Sequence, residues 1–352
     1  METGSTRTPP TYEVRASGPT LATLRSAAAG GLRSGVSETT PSVRPAPGRD
    51  DLLPGFETHD VDVTHDRGGT TLRVAVGGSG PPLLLQHGHP QNHLTWHLVA
   101  PRLAEDFTVV LPDLRGYGDS GKPAPTGEAE PHAAYTKRTM AADLVALMAT
   151  LGHDRFAMVG HDRGGRVGHR LALDHPDVLT RLAVIDIAPT LTMYERTDQA
   201  FATGYYHWFF LVQPAPVPER MILASPGAFL LPHLASQVVE PAAQDPRLLE
   251  DYLRCYADPA MVHAICEDYR AAATTDLDHD RADADTGIGV PLMALWGAHG
   301  LVGSTYDVLA TWQEKVAPGV EVAGQALDGR HSLQEECPDQ LLAALGPFLA
   351  GG

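Results

Sequence analysis

The run Phe156-Ala157-Met158-Val159 leads directly into Gly160-His161-Asp162-Arg163-Gly164-Gly165-Arg166, and Val167 to Leu173 then reads as helix. A buried strand, a glycine-flanked turn and a helix in immediate succession leave few folds open. Glycines on both sides let the chain reverse sharply and project the central side chain above the end of a sheet. That side chain is an aspartate. A serine alkoxide attacks carbonyl carbon, whereas a carboxylate suits displacement at an sp³ carbon and leaves an ester that water must cleave. The competing use of Asp162 is an ordinary helix N-cap.

The rest of the chain fits a parallel sheet covered by helices. Apolar runs mark strands at Leu72 to Val76, Leu83 to Gln86, Phe107 to Leu111, Phe156 to Val159, Leu182 to Ile187 and Leu292 to Trp296, with a weaker run at Val320 to Leu327. Helical periodicity marks Met140 to Leu151, Arg163 to Asp174 and Gln340 to Leu349. After Ile187 the alternation stops, and an aromatic and proline-rich segment follows, including Tyr205-Tyr206-His207-Trp208-Phe209-Phe210 and Gln213-Pro214-Ala215-Pro216. Residues 188–276 are expected to form an inserted cap, with the core made of residues 51–187 and 277–352. An insertion at that place would roof the carboxyl ends of the strands, where ligands of open sheets bind. The acidic stretch Asp276 to Asp285 is expected to be a solvated return linker, with metal binding as its alternative. Residues 1–50 are rich in Gly, Ser, Thr, Pro and Ala, carry scattered arginines and lack apolar periodicity, so a disordered N-terminal extension is expected there.

Charge narrows the partners. The chain has 26 Lys and Arg against 43 Asp and Glu, a formal net charge of −17. That excess opposes broad attraction to nucleic acid or to an anionic membrane. An anionic ligand would need a local basic pocket. No run of about twenty apolar residues occurs, so neither a membrane span nor a secretory signal is expected, and a cytoplasmic location is the expectation. Cys255, Cys266 and Cys337 are widely spaced and form no CxxC pair, which fits buried thiols better than a disulfide framework or zinc knuckle.

The remaining machinery is sought by chain order: nucleophile, acid, histidine. Among 17 histidines, His331 lies after the last strand and is the candidate general base for water attacking the ester. The orienting acid has two positions open to it. Trp296-Gly297-Ala298-His299-Gly300 offers no carboxylate, whereas Asp186 ends an apolar strand in which an unpaired charge would be costly. A surface histidine and a salt-bridged structural aspartate are the competing readings. His87-Gly88-His89-Pro90 follows another strand, and the backbone N–H groups of His89 and Arg163 are candidates for an oxyanion hole.

Over residues 52–350 the sequence resembles the fluoroacetate (haloacetate) dehalogenases of the α/β-hydrolase superfamily. The likeness is carried by His161 to Arg166, Asp113-Leu114-Arg115-Gly116-Tyr117-Gly118-Asp119-Ser120, Tyr206-His207-Trp208, Gln213 to Pro216 and Cys266-Glu267-Asp268-Tyr269-Arg270. It implies an α/β-hydrolase fold with a mostly parallel eight-stranded sheet and a helical cap. It also implies that Arg163 and Arg166 hold a substrate carboxylate, and that His207, Trp208 and Tyr269 receive the departing halide. Two arginines spaced i, i+3 in the first helical turn, each a guanidinium fork, suit a carboxylate physically. His89, Gln237 and the Arg330-His331-Ser332 triplet depart from the family pattern.

The activity this implies is hydrolytic dehalogenation of a short, anionic 2-haloacid through an aspartyl ester, with water as co-substrate and no metal or organic cofactor. A homodimer is compatible with it. Two alternatives stand beside it. An epoxide hydrolase would use the same Asp162, His331 and Asp186 with a cap tyrosine, Tyr205, Tyr206 or Tyr269, as proton donor, and a non-catalytic ligand sensor would keep the fold without turnover.

Overall fold

A computed structural model describes residues 43–45, 51–124 and 130–351. Most of the expected disordered extension, residues 1–50, thus lies outside the described residues. Nine strands form one sheet: β1 Val43–Pro45, β2 Phe56–His65, β3 Gly68–Gly77, β4 Pro82–Gln86, β5 Thr108–Pro112, β6 Phe156–His161, β7 Leu179–Ile185, β8 Leu292–Gly297 and β9 Val322–Leu327. Their order is β1-β2-β3-β5-β4-β6-β7-β8-β9. The first three strands are added antiparallel, and the six from β5 through β9 run parallel. The sheet therefore carries one strand beyond the eight expected.

All seven apolar runs read from the sequence became strands. β2 went unread because only Phe56, Val61 and Val63 are buried along its ten residues, the rest being polar. Its pairing with β3 over the full length supplies the order that composition did not signal. Central strands such as β6, buried at every position, were legible as continuous apolar runs.

The Lys137–Thr150 helix begins where the Thr136 hydroxyl accepts from the Thr139 N–H. It ends ahead of Gly152, which takes φ +84°. This helix packs against the Arg163–Asp174 helix beside the sheet. Between β7 and β8 the chain forms eight α-helices, from Thr190 to Ala282. Aspartates start several of them. Asp198, Asp245 and Asp258 each accept a first-turn N–H, and in the last two cases proline fills the first helical position. The segment's proline content is thus partly helix punctuation.

The acidic return stretch is not a solvated linker. Thr275–Ala282 is helical, and buried Asp276 accepts the Lys137 backbone N–H at 2.9 Å. Asp283 accepts from Arg138 at 2.9 Å and from Arg170 at 2.7 Å. These carboxylates join the helical segment to the basic face of the core. The three cysteines are buried free thiols. No helix among the described residues is long and apolar enough to cross a membrane.

Candidate active site

Asp162 follows β6, whose neighbours in the sheet are β4 and β7, and precedes the Arg163–Asp174 helix. Its backbone lies at φ 45°, ψ −113°, a sparsely populated region for a non-glycine residue that costs about 1–3 kcal/mol. The surrounding glycines make the turn possible. A Cβ on Gly160 would meet the Gly164 carbonyl at 2.6 Å, one on Gly164 would meet the Gln86 and His87 carbonyls at 2.5 Å, and one on Gly88 would meet the Asp162 Cβ at 2.5 Å. Asp162 makes no side-chain cap bond to its helix. Its Oδ1 instead accepts the backbone N–H of His89 at 3.1 Å. The helix-cap alternative is therefore not how the side chain is used.

Asp186 directly follows β7, also at positive φ (49°). Its Oδ1 accepts the Gly297 N–H at 3.0 Å and its Oδ2 lies 2.6 Å from His331 Nδ1. Among the described residues no arginine or lysine pairs with it. His331 Nε2 faces Asp162 Oδ2 at 3.9 Å, too far for a hydrogen bond. Its side chain is only 12% exposed, so the surface-histidine alternative does not hold. The ring is framed by main chain as well. His331 N donates to the Gln237 carbonyl at 2.9 Å, and the His331 carbonyl lies 2.9 Å from His161 Nε2.

Burial alone would lower the His331 pKa, but hydrogen bonding and attraction from Asp186, joined by Asp162, leave it raised above its ordinary value. Burial would raise Asp162; His331, Arg166, His161 and Arg163 outweigh it and keep the carboxylate ionised far into acid. Activity that needs a neutral His331 must therefore fall as pH drops through this raised pKa. Asp186→Asn removes the principal raising partner, so the acidic limb of the pH–rate profile should move to lower pH while the plateau falls. A limb that stays in place would show that Asp186 does not set the imidazole's basicity.

The two arginines differ in their freedom. Arg163 is fully buried and commits Nε and Nη2 to Asp268, at 2.7 Å to each carboxylate oxygen, leaving Nη1 without a partner. Arg166 Nη1 donates to the Ala188 carbonyl at 3.2 Å and to Thr190 at 3.0 Å, leaving Nε unpartnered. The expectation of two whole forks facing a ligand is corrected accordingly. One arm of each remains, because Asp268 neutralises the other side of Arg163.

Tyr269 and Trp208 stack against these cations, with the Arg163 guanidinium 4.1 Å over the Tyr269 ring and Arg166 4.7 Å over Trp208. The His207 ring lies 5.9 Å from Tyr269. His207 Nδ1 and Trp208 Nε1 are buried without partners. Counting Arg163 Nη1 and Arg166 Nε, four polar nitrogens stand unsatisfied in one neighbourhood of Asp162. Such groups are costly unless a ligand meets them.

A cavity of about 320 Å³ opens onto Asp162, Asp186, His331, His89 and His207. Arg163, Arg166, Trp208 and Tyr269 are not among its lining residues; they form the packed layer beside it. Several site residues escaped sequence reasoning. Asp268 was visible only as part of a motif, and nothing local marks it as the partner of Arg163. Lys137 and the Tyr117 hydroxyl also bind Asp268, the latter at 2.6 Å. His233 lines the cavity from the helical segment, where no short spacing signals it, beside Tyr205 and Gln237, of which the sequence marked the first as a proton donor open to the epoxide alternative and the second as a departure from the family pattern.

Comparison with known proteins bears on the family of the chain. A family model described as alpha/beta hydrolase fold matches residues 81–336. The chain is 44% identical over 300 residues to a fluoroacetate dehalogenase of Burkholderia sp, covering 85% of this chain and 95% of that protein. It is 32% identical to a soluble epoxide hydrolase of Corynebacterium sp. (strain C12), covering 82% and 98% respectively. A crystal structure described as a putative acyltransferase from Salmonella enterica superposes with TM-score 0.81 at 55% identity, over 86% of this chain and 98% of that one. With a family match across the core and such identity along nearly the whole of a relative, the chain belongs to the fluoroacetate dehalogenase family of the α/β-hydrolases.

Proposed function

We propose that the protein is a hydrolytic dehalogenase of short 2-haloacids, with haloacetates as the substrate type and the eight helices between β7 and β8 as a cap over its site. The observation that carries this reading is the set of unpartnered arginine, histidine and tryptophan nitrogens gathered beside an ionised, strained Asp162. An uncharged epoxide has no use for the two cationic arms. A carboxylate does.

In the proposed reaction the substrate carboxylate enters from the cavity into the packed layer beside it, where Arg163 Nη1 and Arg166 Nε hold it. Asp162 Oδ2 attacks the α-carbon while Oδ1 stays on the His89 N–H. The carbon–halogen bond breaks with its electron pair passing to the halide, which His207, Trp208 and Tyr269 receive as donors. Hydrogen bonds to charged groups are each worth about 1.5–3 kcal/mol, so three that strengthen as halide forms lower the barrier substantially. Water then attacks the Asp162 ester carbonyl, and His331 Nε2 takes its proton while Asp186 holds the ring. The His89 and Arg163 backbone N–H groups would stabilise the oxyanion. The ester C–O bond breaks, the departing alkoxide takes the proton back from His331 to give a 2-hydroxy acid, and the Asp162 acid releases its proton to solvent and returns to the carboxylate. The 3.9 Å separation leaves the nucleophile untied by its own base.

Halide release from fluoro-, chloro- and bromoacetate, measured beside opening of styrene oxide, tests the proposal. Haloacetates should yield stoichiometric halide and glycolate. Rapid epoxide opening without halide release from any haloacid would replace this reading with the epoxide hydrolase. Binding without either product would leave a sensor.

A further inference from the structure

Three imidazoles meet in the cavity from separate parts of the chain. His89 comes from the turn after β4, His207 from the Tyr206–Leu211 helix and His233 from the Pro226–Ser236 helix. The His207 and His233 ring centres are 4.4 Å apart, those of His89 and His233 5.2 Å, and those of His89 and His207 5.9 Å. Each ring offers a nitrogen, and the three lie within 4.8 Å of one another. Among the described residues this is the one group of His, Cys, Asp or Glu so arranged.

The rings are poor partners for one another when charged. Burial lowers all three, and His233 further depresses both His89 and His207; His233 itself falls to about 4. Burial disfavours the charged form of each ring, and a neutral imidazole carries the lone pair that binds a transition metal. His89 Nδ1 and His207 Nδ1 are buried with no hydrogen-bond partner. One ring already has an outer partner, the Tyr256 hydroxyl 2.5 Å from His89 Nε2; the Gln237 amide nitrogen donates to His233 Nε2 at 3.2 Å, and turning the amide would bring its unpartnered buried oxygen to that ring nitrogen as an acceptor. Metal-binding histidines characteristically have their far nitrogen anchored in this way.

We propose that His89, His207 and His233 form a site for a divalent transition metal, with zinc as the representative ion, and that its occupancy closes the catalytic cavity to substrate. Zinc takes imidazole nitrogens at about 2.0–2.1 Å, which places tetrahedral ligands about 3.4 Å apart. Small side-chain rotations bring the three nitrogens to that spacing. The three histidines line the same cavity as Asp162, whose negative charge would attract the ion. The reaction proposed above requires His207 as a halide donor and Asp162 as a free nucleophile. Metal takes the first and restrains the second.

The full-length protein, freed of any polyhistidine tag and stripped with chelator, is dialysed against zinc chloride and its metal content measured; cobalt serves as a spectroscopic replacement. About one zinc per chain is expected, with visible cobalt bands of nitrogen ligation. His233→Ala and His89→Phe, each checked by circular dichroism, should weaken binding by at least about tenfold. His233→Gln stands in if the alanine protein does not fold. Zinc should inhibit halide release competitively with haloacid in the unmodified protein. Binding below about a tenth of an equivalent, or binding equal in the folded variants, overturns the site. Metal content is read without turnover, so zinc bound without any halide release sinks only the dehalogenase reading, and halide release without zinc binding sinks only this one.

Discussion

A His331→Ala protein incubated with chloroacetate should gain the mass of one carboxymethyl group, with the added mass on the peptide that carries Asp162. In the proposed reaction the first step needs only the carboxylate and the arginine arms, whereas the second needs a base within reach of the ester carbonyl. Removing the imidazole therefore separates the two steps and lets the ester accumulate. Steady-state turnover should fall by about 100- to 10,000-fold, the range that general-base catalysis supplies. Asp162→Ala provides the blank, with loss of at least about 10,000-fold and no adduct. Intact-mass measurement after a short incubation decides the matter. An unmodified His331→Ala protein that still releases halide would mean that water attacks the haloacid directly and Asp162 is not the nucleophile.

The second large effect is expected at a residue that touches no substrate. Asp268→Ala should destabilise the protein by about 3–5 kcal/mol, because it strands Arg163 as a buried, unpaired cation. The loss reaches further, since Lys137 and Tyr117 lean on the same carboxylate. Burial opposes the charged form of Asp268, yet Arg163 and Lys137 more than compensate and hold its pKa low. Urea unfolding reports the stability. In protein that remains folded, KM for chloroacetate should rise more than kcat falls, because a loosened Arg163 presents its one available arm less well. Asp268→Asn keeps the volume and should lie between the two. An unfolding midpoint and a KM both unchanged in Asp268→Ala would show that Arg163 is oriented by its packing on Tyr269 alone.

The alternation of elements was legible because central parallel strands are apolar at nearly every position and need little context to be read. β2 was not, since its register is imposed by β3 across a hairpin and its own residues are largely polar. The helical segment was legible as an interruption but not as eight helices. Its short pieces are closed by Asp-Pro starts and by packing, with too few turns each to build a periodic signal.

The sequence by itself determined the turn at Asp162, because glycine sterics and the adjoining strand and helix act between neighbours in the chain. It also placed Asp162, Asp186 and His331 in that order after the ends of β6, β7 and β9, because strand ends can be read along the chain. Tertiary structure alone decided how much of Arg163 is left for a ligand, since Asp268 lies 105 residues away and its ion pair exists only when the helical segment is seated. It likewise decided that His89, His207 and His233 share one cavity. Those contacts depend on packing between distant segments, and no local spacing in the chain encodes them.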